Sequence, residues 1–341
     1  MTASRMSAPS DPDAETFRAP GKMFWLGEYA VLVGAPSVVA AVDRCAVVTR
    51  SPAAIGSASG AAWFDEGGEI APLDAAHPNA LVAAVAAELG AAGVTPRPGV
   101  YAADSSALSA GSKYGLGSSA AVAAGLVAAL TEGSAVEAEA LAVAAHRRFQ
   151  GGKGSGADVV AACWGGVSVV VVAPGAAVAA RRLTVPGGLQ VAALWTGVSA
   201  STTSRIAAFD AWRSVNPRTL DDLVAAAARG VAALEAADVP AWLASVAEYA
   251  ALERTMTAGG VSVVTAEVDA AMCAAADAGW VAKPSGAGGG DLVVAFAAAD
   301  ADVGRLAAAA KARGAAHLPL ALAPTGALNG PPADESSRPH A

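Results

Sequence analysis

The sequence is poor in the residues that build metal clusters or disulfide frameworks: in 341 residues there are 3 cysteines and 4 histidines. Cys45, Cys163 and Cys273 lie far apart in apolar surroundings, with neither ligand spacing nor a pairing pattern, and read as buried, reduced thiols. His77, His146, His317 and His340 are equally scattered and make no zinc site and no Ser-His-Asp pattern. Long apolar runs are missing too. The hydrophobic fraction is 54%, but alanine carries much of it. No stretch reaches the roughly 18 large apolar residues of a membrane span. A net charge of −8 argues against nucleic acid as the main partner. The polar start, Met1 to Glu15, has no apolar signal core, so residues 1–16 are expected to be a disordered leader and the compartment the cytoplasm. Two common nucleotide loops are absent as well: there is no G-x-x-x-x-G-K-[ST], and no G-x-G-x-x-G with its acidic partner.

Lysine is the most informative scarcity. Of 22 basic residues, five are lysine (Lys22, Lys113, Lys153, Lys283 and Lys311) and the rest arginine. Four of those five stand in or beside glycine-rich segments, where a compact ammonium next to adaptable backbone suits a phosphate site.

The length suits two packed lobes. Residues 17–185 alternate strand-like runs, such as Val38–Val42 and Val167–Val172, with helices over Asn79–Gly90, Ser118–Leu130 and Ala135–Phe149, the last closing on Gly151-Gly152. Pro186-Gly187-Gly188 marks a boundary. Over residues 186–326 the pattern predicts a strand at Leu189–Trp195 and helices at Leu220–Ala236, Val239–Met256 and Thr265–Ala278. A strand at Leu292–Phe296 and a helix at Val303–Arg313 follow. Residues 327–341, rich in Pro, Asp, Ser and Arg, read as a disordered tail. The class is α+β.

Four segments carry the chemistry. In Lys113-Tyr114-Gly115-Leu116-Gly117-Ser118-Ser119-Ala120 the glycines permit a tight turn into a helix whose first N–H groups make an anion site. Ser118 and Ser119 add hydroxyls for phosphate oxygens or Mg²⁺; the plainer reading is a serine-capped helix. Lys22 and Glu28 interrupt an apolar run from Pro20 to Gly34, and such charges are either paired, functional or snorkelling at a strand edge. Gly151 to Asp158 runs into another helix, so that Asp158 either caps it or faces the phosphate loop. Lys283-Pro-Ser-Gly-Ala-Gly-Gly-Gly-Asp291 leads into a strand, and its glycines suit close approach of a ligand or another backbone better than a linker.

In order, the Pro20, Lys113 and Lys283 segments resemble the three signature motifs of the GHMP kinase family, over about residues 18–326. The Gly152–Asp158 stretch, Lys113 ahead of Tyr114, and Trp195 to Thr202 are similar to the phosphomevalonate kinase branch. Ala157, where a larger and often aromatic residue is usual, and the alanine-rich helices depart from it. The resemblance implies a two-lobed GHMP kinase fold, with an N-terminal lobe like ribosomal protein S5 domain 2 and a ferredoxin-like C-terminal lobe. It implies ATP between the lobes with Mg²⁺ on its phosphates, phosphomevalonate as acceptor, and a monomer or homodimer. It assigns Gly115, Leu116, Gly117, Ser118, Ser119 and Ala120 to the nucleotide, Ser119 and Asp158 to the metal, and Lys22, Asp158 and Lys113 to catalysis. Lys113, Lys153, Ser155, Ser201, Ser285 and Gly286 would hold the acceptor. A phosphate acceptor is already an anion at neutral pH because its second pKa is about 6, so charge neutralisation by Lys22, Lys113, Lys153 and Lys283 matters more than a base. Mevalonate kinase, diphosphomevalonate decarboxylase and a non-catalytic relative are the alternatives within the same motifs.

Overall fold

A computed structural model describes residues 13–52, 60–64, 69–109, 113–131, 135–173, 177–199 and 202–328. Two long antiparallel strands, β1 (Glu15–Leu26) and β2 (Ser37–Ser51), form the spine of the first lobe. β1 alternates in burial as far as Arg18 and is continuously buried from Ala19, because its second half is covered on both faces. Around β2 the sheet runs β4 (Ile70–Pro72), β3 (Ala61–Phe64), β5 (Gly99–Asp104), β2, β6 (Val167–Val172), β7 (Val178–Leu183), with β1 also on β2. Among the described residues only β3 and β5 pair in parallel.

Helices α1 (Ala80–Ala91), α2 (Ser118–Leu130), α3 (Ala135–Phe149) and α4 (Ala157–Trp164) pack together with α2 in the middle. The alanine richness has its explanation here. Nearly every residue of α2 from Ala120 on is buried, and a methyl group on Gly125 would come within 2.9 Å of Val48. A helix threaded between a sheet and three other helices needs small side chains on every face.

The second lobe contains β8 (Leu189–Trp195), α5 (Thr202–Val215), α6 (Pro217–Glu235), α7 (Val239–Ala258), α8 (Ala266–Asp277), β9 (Val281–Pro284), β10 (Leu292–Ala298), α9 (Val303–Ala312) and β11 (Ala316–Leu318). Its antiparallel order β11-β8-β10-β9 is the ferredoxin-like arrangement, with the first strand beside the last. Helix α5 and strand β9 lie outside the sequence expectation. β9 is four residues long, too short for periodicity to mark.

Trp25 of β1 packs on Trp242 of α7 and Phe296 of β10, ring centroids 6.4 and 5.5 Å away, so one aromatic cluster joins the lobes. The expected boundaries need two corrections. Glu15 and Thr16, placed in a leader, already belong to β1. Residues 321–328, split between the second lobe and the tail, return to the first lobe. There the Asp43 N–H donates to the Ala321 carbonyl, the Ala323 N–H to Ala41 and the Ala327 N–H to Ala162, bonds made by the stretch of β2 between its pairings with β6 and β5 and by the carbonyls of α4. All three cysteines are free, but only Cys163 is fully buried.

Candidate active site

A cleft of about 540 Å³ opens between the lobes, within the range of small-molecule sites. One wall is the Gly115-Leu116-Gly117 turn. Gly115 and Gly117 have φ of +77° and +76°, the left-handed region glycine adopts without strain, and Gly117 precedes α2 with no side chain capping the helix. The first N–H groups of α2 therefore stay available beside Ser118 and Ser119, which both line the cleft. Ser-capping is excluded as the role of these serines: they are the first two helical residues.

The turn is clamped onto β1. The Lys22 N–H donates to the Leu116 carbonyl at 2.9 Å and the Lys22 ammonium to the Gly115 carbonyl at 2.9 Å. A Cβ on Gly21 would lie 2.9 Å from the Leu116 oxygen, so only glycine lets the turn come this close. Lys22 is buried. Burial pushes its ammonium below the usual lysine range, while the carboxylates of Asp158, Asp291 and Glu28 oppose that shift.

Asp158 sits in the first turn of α4, which Gly156 leads into without a side-chain cap. Its Oδ1 accepts from the Val159 N–H at 3.0 Å, and Oδ2 lies 3.7 Å from His146 Nδ1. His146 Nε2 is 3.0 Å from Ser119 Oγ. His146 is the site residue that sequence reasoning passed over: a lone buried histidine near the end of a helix carries no spacing signal, and only the packing of α2, α3 and α4 brings its partners together.

The opposite wall is the loop from Ser285 to Asp291. The Phe24 N–H donates to Ser285 Oγ at 2.9 Å, and the Gly286 N–H to Glu28 Oε1 at 3.0 Å. Gly286 lies so close that a Cβ there would be 3.4 Å from Lys22 Nζ. Lys283 corrects an expectation. It is fully buried on β9, donates to Glu28 at 2.6 Å, and lies 3.6 Å from Glu253. It does not face the cleft and supplies no charge to an acceptor. Glu28 is the paired alternative. Burial, opposed by Lys283, raises the Glu253 carboxyl to about 8.

Lys113 is exposed and lines the cleft, as do Ser155, Ser285 and Gly286, whereas Lys153 is exposed on the same loop as Ser155 but does not line it. Ser155 Oγ accepts from the Ala157 N–H at 3.2 Å, which leaves its own hydrogen available. Leu116 lines the cleft with its backbone turned by the loop, and Ala120 is buried in the first turn of α2. Ser201 lies outside the described residues. Asp291, at φ +55° beside Gly115, is a further cleft residue. Among the described residues no cluster of three or more His, Cys, Asp or Glu could hold a metal by itself. Ser119 and Asp158 are oxygen donors beside free helix N–H groups. That set fits a hard cation shared with phosphate oxygens, as Mg²⁺ is usually bound.

Residues 80–166, from α1 through α4, match the N-terminal domain of GHMP kinases. The chain is 32% identical to the phosphomevalonate kinase of Streptomyces sp. (strain CL190), with 90% of this chain and 96% of that one covered. It belongs to the GHMP kinase family. The GHMP fold recurs in the Lin0012 protein of Listeria innocua, at TM-score 0.79 and 20% identity, with 91% of this chain and 98% of that one covered. The phosphomevalonate kinase of Streptococcus pneumoniae, crystallised with phosphomevalonate and AMPPNP, superposes at TM-score 0.71 and 19% identity, covering 91% and 99%. As in the expectation from its motifs, this GHMP kinase is two-lobed and α+β, and it is a phosphotransferase. Among the described residues no helix is long and apolar enough to cross a membrane.

Proposed function

We propose that this chain transfers the γ-phosphoryl group of ATP to the phosphate of 5-phosphomevalonate, giving 5-diphosphomevalonate and ADP. The supporting observation is the buried ammonium of Lys22, held at the junction of the glycine turn, Asp158 and the Ser285–Asp291 loop. The free N–H groups at the start of α2 receive the nucleotide phosphates, with Ser118 and Ser119 hydroxyls beside them. Mg²⁺, held by Ser119 and Asp158 together with the phosphates, would neutralise charge on them.

An acceptor phosphate whose second pKa is about 6 needs no proton removed at neutral pH. What it needs is orientation and compensation for the repulsion between two anions. Lys22 lies where the charges meet, and Lys113 at the cleft mouth clamps the acceptor's own phosphate. Ser155, Ser285 and Gly286 complete the acceptor's polar surroundings. Asp158 orients metal and acceptor rather than serving as base. Loss of the Lys283 charge to its buried ion pair leaves Lys22 and Lys113 the more decisive.

A coupled ADP-release assay with mevalonate and phosphomevalonate side by side tests this. Turnover with phosphomevalonate is expected; turnover with mevalonate alone would refute it, and carbon dioxide release from diphosphomevalonate would identify a decarboxylase instead.

A further inference from the structure

The loop from Ser285 to Asp291 has little conformational preference of its own at its glycine end. Gly288, Gly289, Gly290 and Asp291 all have positive φ, at +67°, +74°, +146° and +55°. Glycine reaches such values freely but is not held there, so the shape of the run must be imposed by its neighbours. Several are visible. The Gly286 N–H donates to Glu28 Oε1, the Tyr29 hydroxyl to the Ala287 carbonyl at 2.6 Å, and the Asp291 N–H to the Val198 carbonyl at 2.7 Å. In the middle of the run, the Gly289 N–H donates to the Val263 carbonyl at 2.6 Å.

The Gly289 carbonyl is taken by Arg205. This residue stands in the first turn of α5, half-buried, and does not line the cleft, although its neighbour Ile206 does. Arg205 Nη2 donates to the Gly289 carbonyl at 3.3 Å and Nε to the Ser262 carbonyl at 3.0 Å. One guanidinium thus ties the glycine run to the same stretch, Ser262-Val263, that receives the Gly289 N–H. The fit is close: a Cβ on Gly289 would overlap the guanidinium, and one on Gly288 would collide with the Val263 carbonyl oxygen. A planar fork of fixed donors can hold two carbonyls at once, whereas an ammonium on a flexible stem cannot keep that geometry.

The nucleotide turn is anchored elsewhere. Lys22 holds the Gly115 and Leu116 carbonyls, and Asp291, against which Gly115 packs, is fixed through its backbone by Thr196 and Val198. The lead-in to α5 reaches the acceptor side again, where Ser199 Oγ donates to the Lys113 carbonyl at 3.2 Å.

We propose that Arg205 is a positioning residue for the acceptor: from α5 it fixes the glycine run, and with it Ser285 and Gly286 at the cleft wall. This rests on the reading of Ser285 and Gly286 as acceptor groups, but not on which acceptor they receive.

Arg205→Lys and Arg205→Gln test it. The lysine variant keeps the charge and the aliphatic stem, so it decides the matter should the glutamine variant fail to fold. Kinetics are measured with whichever of phosphomevalonate and mevalonate the wild type turns over. In both variants KM for that acceptor is expected to rise about tenfold or more, the worth of a hydrogen bond from a charged donor. Affinity for a non-hydrolysable ATP analogue, titrated calorimetrically without acceptor, should stay at the wild-type value. Hydrogen-exchange mass spectrometry of the substrate-free protein should show faster exchange over residues 285–291 and unchanged exchange over residues 115–121. A lysine variant with wild-type KM would show that charge alone matters. Equal losses for nucleotide and acceptor would leave Arg205 a general structural role, and unchanged exchange over residues 285–291 would show that the run is held without it. Each of these overturns the proposal. If the wild type turns over mevalonate or neither acceptor, the phosphomevalonate reading fails alone, and hydrogen exchange still decides whether Arg205 holds the run.

Discussion

At the scale of single residues, burial separates lysines that look alike in the sequence. Lys113 is exposed at the cleft mouth, and among the described residues its ammonium has no hydrogen-bond or ion-pair partner. Lys113→Ala is expected to lower kcat/KM for the acceptor by between about 10- and 100-fold, the worth of one charge-assisted bond to an anion. Its melting temperature should stay at the wild-type value, and calorimetric unfolding alongside steady-state kinetics checks both. Glu253 makes a different prediction. Its carboxyl, raised to about 8 by burial, keeps a proton in the folded state that the unfolded chain releases near its ordinary value of 4.5. The folded state therefore binds more protons between those values, and stability falls as pH rises through that window. In Glu253→Gln this component is gone. Urea midpoints measured from roughly pH 5 to pH 8 should decline less steeply in the variant than in the wild type.

At the scale of elements, the functional loops are held by the strands they leave and approach. The turn at Gly115 to Gly117 is formed by its own glycines, but its placement depends on Gly21 in β1, where a Cβ would meet Leu108 at 2.8 Å and the Leu116 oxygen at 2.9 Å. Gly21→Ala is expected to push the turn away from Lys22, raising KM for ATP more than tenfold and costing about 1–3 kcal/mol of stability. Unchanged nucleotide affinity would show that the turn is positioned from elsewhere. Elements with their own local signature were legible without the fold. α2 and α3 run over Ser118–Leu130 and Ala135–Phe149, where apolar pattern and glycine stops place them, and β8 runs over Leu189–Trp195. α6 starts at Pro217, three residues before its apolar stripe begins, because proline is well tolerated in the first turn.

For the whole molecule, the buried Glu28–Lys283 pair is the tie that matters most. Glu28 follows β1 in the first lobe, Lys283 belongs to β9 in the second, and the same Glu28 oxygen holds the Gly286 N–H at the cleft wall. Removing the lysine leaves the Glu28 carboxylate buried without its cation, so Lys283→Met is expected to cost about 3–5 kcal/mol in urea unfolding. The double variant Lys283→Met/Glu28→Gln should recover part of that loss, because the uncompensated charge is gone while the amide oxygen can still accept from Gly286. A double variant no more stable than the single one would show that Glu28 is not the charge left exposed to the penalty.

What the sequence by itself determined are the local properties. Glycine turns that open a helix start, serines at that start, an aspartate in the first turn of another helix and lysines beside them are set within a few residues of chain, and helix N-termini bind anions wherever they are placed. The tertiary structure decided which of those charges are free. Lys283 meets Glu28 across 255 residues of sequence and leaves the cleft; His146 meets Ser119 across 27 and enters the site. No periodicity carries such pairings, because they follow from how lobes and helices pack. The cost of burying a charge or a polar ring is then met only by whichever partner the packing supplies.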